Sequence, residues 1–134
     1  MARTEPAFTW RRNRARLYAE AAAEVERIIG KLPPDLRLRA RSVPVGFEDV
    51  PSNGLIDEGL EADLMGVFLG SDAPDADEAP HSLPPRIVLF LENIWDEACG
   101  EGDIFVEEVG RTYLHEIGHY LGLDEDGLAE RGVD

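Results

Sequence analysis

Cysteine is nearly absent from this 134-residue chain. Cys99 stands alone, so no intramolecular disulfide can hold the fold together, and a free thiol suits a reducing compartment. Long hydrophobic runs are absent as well. The longest, within Arg86–Leu91, is far short of the roughly 20 residues a membrane-spanning helix needs, and no apolar run follows the early arginines as a secretory leader would require. A cytoplasmic chain with no membrane partner is therefore expected. Basic residues are scarce where they would matter for nucleic acid. Residues 1–41 hold ten of the thirteen Lys and Arg and five acids, while residues 42–134 hold three basic residues and twenty-three acids, for a net charge of −15. A nucleic-acid binder needs a basic face on its functional part, and none is available in the acidic part. The arginines at positions 11, 12, 14 and 16 read as a solvated helix face or as partners for acids.

What remains is a single domain, long enough to bury a core but not two. Residues 1–12 read as a tail, with Phe8 and Trp10 as candidates to pack back on the body, and residues 13–134 as the domain. A helix is expected from Asn13 to Ile29, with Leu17, Ala21, Val25, Ile28 and Leu32 as its apolar stripe and Gly30, Pro33 and Pro34 ending it. A strand is expected over Leu38–Val45, with Pro44 favouring an edge. Pro51–Gly54 marks a turn, and Leu64–Leu69 a short strand. Ser71–Pro85 reads as a long loop carrying His81, a histidine without a metal role. Arg86–Leu91 is the clearest strand, continuous and so central. Asn93–Cys99 reads as a helical turn, and Gly127–Arg131 as a C-terminal turn or helix. The sum is an α+β domain: a small sheet of three or four strands packed on two main helices.

Histidine is rare too, yet two of the three lie in one segment, His115-Glu116-Ile117-Gly118-His119-Tyr120-Leu121-Gly122-Leu123-Asp124-Glu125-Asp126. On a helix, residues four apart share a face, so His115 and His119 can offer two imidazoles to one metal ion. Glu116 flanks that face, within reach of a water at the metal without being a ligand. Val106, Val109, Tyr113, Leu114, Ile117 and Leu121 form an apolar stripe elsewhere on the same helix, leaving the histidines outside the core. Asp103 suits the helix start and Gly122 its end. A reversal at Gly122 would bring a carboxylate of the acidic run back as a third ligand. Three protein ligands and one open position make a catalytic zinc site.

His-Glu-x-x-His-x-x-Gly-x-x-(Asp/Glu) resembles the extended zincin motif with an acidic third ligand. The chain resembles the small bacterial zincin-like metallopeptidases, members of which are little more than a minimal zincin domain. Matching segments are Phe47–Pro51, Asp63–Gly70, Leu83–Phe90 and Thr112–Leu128. The resemblance implies a minimal zincin-like fold, a Zn²⁺ cofactor held by His115, His119 and Glu125, and Glu116 as the general base of peptide hydrolysis. Metzincins fit less well, since no methionine follows the motif: Met1 and Met65 are the two present. The substrate implied is a peptide or protein, and the acidic field favours a basic one. Two other readings keep the same ligands: a non-catalytic zinc-binding interaction module, and a zinc amidase acting on a small molecule. For substrate docking, Leu64–Leu69 is expected at the sheet edge beside the metal site.

Overall fold

The computed structural model describes residues 6–70 and 84–122. Within them run α1 (Pro6–Lys31), α2 (Pro34–Arg41), β1 (Val45–Glu48), α3 (Asn53–Asp57), β2 (Gly66–Leu69), β3 (Arg86–Phe90), α4 (Leu91–Glu97) and α5 (Gly102–Leu121). The fold is α+β, as expected for a minimal zincin domain. None of the described helices is long and apolar enough to cross a membrane.

The strands form a mixed sheet in the order β1-β3-β2. β3 is central, as its unbroken apolar run predicts, with Ile87, Val88, Leu89 and Phe90 all buried. β1 runs parallel to it, pairing Val45 with Ile87 and Glu48 with Phe90. β2 runs antiparallel, pairing Gly66 with Leu89 and Phe68 with Ile87. Ile87 and Leu89 join α1, α4 and α5 in one core, built on Leu17, Ala21, Val25 and Ile28 of α1 and on Val109, Tyr113, Ile117 and Leu121 of α5. Both expected helical stripes are therefore the buried ones.

Three expectations need correction. The first helix begins at Pro6, well before Asn13, and Trp10 is buried in the core, so residues 6–12 are part of the folded body. Residues 38–41 are helical, and the strand starts only at Val45. Pro34 takes the first helical position, where its missing N–H costs nothing. Asp35 lies in the first turn, and Arg39 and Arg41 lie in the last, each matching the helix dipole. Leu36 and Ala40, four apart, are buried while Leu38 is 75% exposed. The period that governs burial here is helical. Finally, Asn93–Glu97 belongs to a fuller helix that begins directly at Leu91 and ends before Ala98, and the Pro51–Gly54 turn leads into α3, where the N-cap Ser52 side chain accepts from the Leu55 N–H.

Some N-terminal arginines pair with acids as expected. Arg14 bonds both Asp49 carboxylate oxygens at 2.9 and 3.1 Å, and Tyr18 donates to the same carboxylate at 2.5 Å, tying α1 to the end of β1. Arg16 pairs with Glu20, and Arg41 with Glu26. Burial, and then the hydrogen bond to Asp49, pushes the Tyr18 phenol well above its ordinary range.

Candidate metal centre

α5 carries the motif. Its twenty residues begin at Gly102, after Gly100 and an extended Glu101 that takes the N-cap position, with Asp103 in the first turn. Its end is sharp. Gly122 takes a left-handed conformation at φ 74°, which a side chain would disfavour, and its N–H bonds back to the Gly118 and His119 carbonyls. The helix thus ends at Leu121, two residues after His119, with Gly122 as its cap.

His115 and His119 both lie on the exposed face of α5. Their ring centres are 4.7 Å apart with the planes tilted by 57°. Two imidazoles sharing one zinc at about 2.0–2.1 Å in near-tetrahedral geometry hold their ring centres roughly 5 Å apart, so the pair is spaced to share an ion. Neither ring is held by a hydrogen bond among the described residues. Two imidazoles on one helix face are a donor pair that suits zinc. No group of three His, Cys, Asp or Glu that could hold a metal occurs among the described residues. The expected third ligand Glu125, its neighbours Asp124 and Asp126, the loop residue His81 and the turn at Gly127–Arg131 all lie outside those residues.

The position of Glu116 follows from what packs on the helix beside it. Thr112, Glu116 and Tyr120 are spaced by four and form one stripe, flanking the histidine face. β2 crosses this stripe at both ends. Gly66 lies so close to Thr112 that a Cβ on it would sit 2.6 Å from the Thr112 methyl and 3.0 Å from Leu89 Cδ2. Phe68 stacks on Tyr120, with ring centres 5.8 Å apart and planes 21° apart. Glu116, half-buried, is bracketed between these contacts. Gly66 is thus the residue that allows β2 to settle onto the metal helix.

β2 is also an edge strand. One side pairs with β3, and no described strand pairs with the other. The expectation that Leu64–Leu69 lies at the sheet edge beside the histidines therefore agrees with the structure, with the strand itself beginning at Gly66. Where the chain enters β2, a cavity of about 420 Å³ is lined by Glu61, Asp63, Asp96 and Glu97 together with Leu64, Met65 and Asn93. The Asn93 side-chain amide donates to the Ala62 and Leu64 carbonyls and pins this approach.

Two residues near the site had no role in the sequence reading. Arg39 of α2 donates to the Tyr120 carbonyl at 3.2 Å and lies 5.7 Å from the centre of its ring. Phe68 was part of the expected strand but had no assigned contact. Neither could have been found from local pattern, because Arg39 is 81 residues from Tyr120. Tyr120 is held between Phe68 and Arg39.

A family model described as zincin-like metallopeptidase matches residues 40–133. The match starts in the last residues of α2 and contains every element from β1 to α5. No curated protein matches the chain.

Proposed function

The chain belongs to the zincin-like metallopeptidases, and from that premise we propose that it is a zinc-dependent peptidase acting on a peptide held along the free edge of β2. The observation that carries this reading is the crossing of the edge strand over the helix stripe that contains Glu116, directly beside the two exposed imidazoles.

His115, His119 and Glu125 would hold the ion. Bound zinc supplies Lewis acidity, polarising the scissile carbonyl and lowering the pKa of water to roughly 7. Glu116, on the adjacent stripe, takes the proton of the attacking water and later delivers it to the leaving amine as the C–N bond breaks. β2 orients the substrate. A peptide added to its open edge gains main-chain hydrogen bonds and is fixed in extended form over the histidine face. An open strand edge suits an extended peptide, whereas a small amide calls for a closed pocket. Glu116 favours the enzyme reading over a zinc-stabilised binding module, since a structural site has no use for a base. The acids around the cavity at the start of β2 favour a peptide with basic residues toward that end.

The test is metal analysis of the purified protein, followed by cleavage of a broad peptide library with and without chelator. One zinc per chain and chelator-sensitive cleavage are expected. A zinc-loaded protein that cleaves no peptide, yet hydrolyses small amides, would transfer the site to the amidase reading.

A further inference from the structure

On the peptidase reading, the edge strand also states what kind of side chain the site prefers. Gly66 pairs with Leu89, and Phe68 with Ile87. Directly opposed residues in a sheet project to the same face. Leu89 and Ile87 face the core, so Gly66 and Phe68 face α5, as their contacts with Thr112 and Tyr120 require. Phe68 and Tyr120 are only half-buried. Their stacked rings join the edge strand to the helix turn that carries His119, since Tyr120 follows it in sequence. Arg39 holds Tyr120 from α2, so this wall is supported by one element besides its own two.

A peptide residue placed across the free edge from Phe68 must project to that same face. Its Cβ would lie about 4.5–5.5 Å from that of Phe68, within reach of both rings and above the histidine end of the helix. Beside Gly66, by contrast, the strand offers no side chain at all. The one specific contact on the edge is therefore aromatic, and it flanks the metal pair.

We propose that Phe68 and Tyr120 form the wall of the primary side-chain subsite, and that the preferred substrate is an extended peptide with an aromatic side chain on the residue flanking the scissile bond. The partner on the other side of the contact is then an aromatic ring packed offset or edge-on, the arrangement such rings favour.

The test uses peptides that differ only by Phe or Ala at each position in turn. Binding is measured by fluorescence anisotropy on the full chain carrying Glu116→Gln, so that affinity is read without turnover. The Phe peptide should bind about three- to tenfold more tightly than its Ala counterpart at one position. That ratio should collapse toward one in Phe68→Leu and stay in Val67→Ala, whose side chain lies on the opposite face. Tyr120→Leu removes the second ring and should reduce the same ratio, which keeps the test open should Phe68→Leu not fold. Equal binding of Phe and Ala peptides at every position, or a ratio untouched by both ring substitutions, overturns the subsite. Cleavage by the parent protein is scored separately. A protein that cleaves library peptides without aromatic preference refutes this subsite and leaves the peptidase standing, while one that binds aromatic peptides but cuts none refutes the peptidase.

Discussion

Adding one methyl group at Gly66 should separate the substrate strand from the metal helix. An alanine Cβ there would meet the Thr112 methyl at 2.6 Å, Leu89 Cδ2 at 3.0 Å and the Val88 carbonyl oxygen at 3.5 Å. Leu89 has rotamers to yield. Thr112 is β-branched on a helix and has little freedom, so the strand must shift. Overpacking of this kind costs about 1–3 kcal/mol, while alanine recovers about 0.4–1 kcal/mol through the unfolded chain. The net loss is about 1–2 kcal/mol. With an unfolding entropy of roughly 2.1 cal/mol/K per residue, the melting temperature should fall by about 4–7 °C. Urea melts followed by fluorescence of the buried Trp10 and Trp95 give the stability, and peptide cleavage gives the functional cost. Gly46→Ala is the control, because the nearest atoms to its Cβ are 3.9 and 4.0 Å away, and it should be neutral or slightly stabilising. Thr112→Ser removes the opposing methyl and should restore at least half of what Gly66→Ala loses. Parent-like stability of Gly66→Ala, or strict additivity with Thr112→Ser, would falsify the close-packing account.

Other expectations are simpler to test. Glu116→Gln should keep zinc and lower turnover by about 10²–10⁴; loss of zinc by metal analysis would contradict its role as a base. Among alanine variants at Asp124, Glu125 and Asp126, the largest fall in zinc affinity should come at Glu125, and a larger fall at either neighbour would move the third ligand there. Cys99 has φ 55°, a left-handed conformation that costs a side-chain-bearing residue about 1 kcal/mol; Cys99→Gly should therefore raise the urea midpoint, and a lowered one would refute this. Tyr113 is fully buried and its hydroxyl has no partner among the described residues. Burial, and then the charge of Glu26, raises its phenol well above the ordinary value near 10. The raised folded-state pKa means that its contribution to stability is intact below about pH 10 and lost as pH climbs above it. Tyr113→Phe should leave neutral-pH stability equal or higher by about 1 kcal/mol and weaken the alkaline loss; an unchanged alkaline limb in urea melts at rising pH would argue against it.

The sequence by itself determined the elements whose signals are local. The apolar stripes of α1 and α5, the continuous run of β3, the stop at Gly122 and the spacing of His115 and His119 all depend on residues within a few turns of one another, and each reads the same way in the folded chain. Helical spacing alone also set Glu116 beside the histidine face. Where local signals conflicted, the sequence misled. Leu36 and Leu38 look like a strand alternation, and only packing decides that Ala40 is the partner of Leu36 and that Leu38 faces solvent. The N-terminal segment looked like a tail, and although Trp10 was a candidate to pack back on the body, the helical start at Pro6 was not legible. Tertiary structure alone decided which face of α5 meets which strand. The edge position of β2 was legible from its shortness and flanking glycines, but the approach of Gly66 to Thr112, the Phe68–Tyr120 stack and the support from Arg39 are long-range facts. They arise because a four-residue strand has too little surface to dictate its own partner, and takes its place from the sheet and helix already packed beneath it.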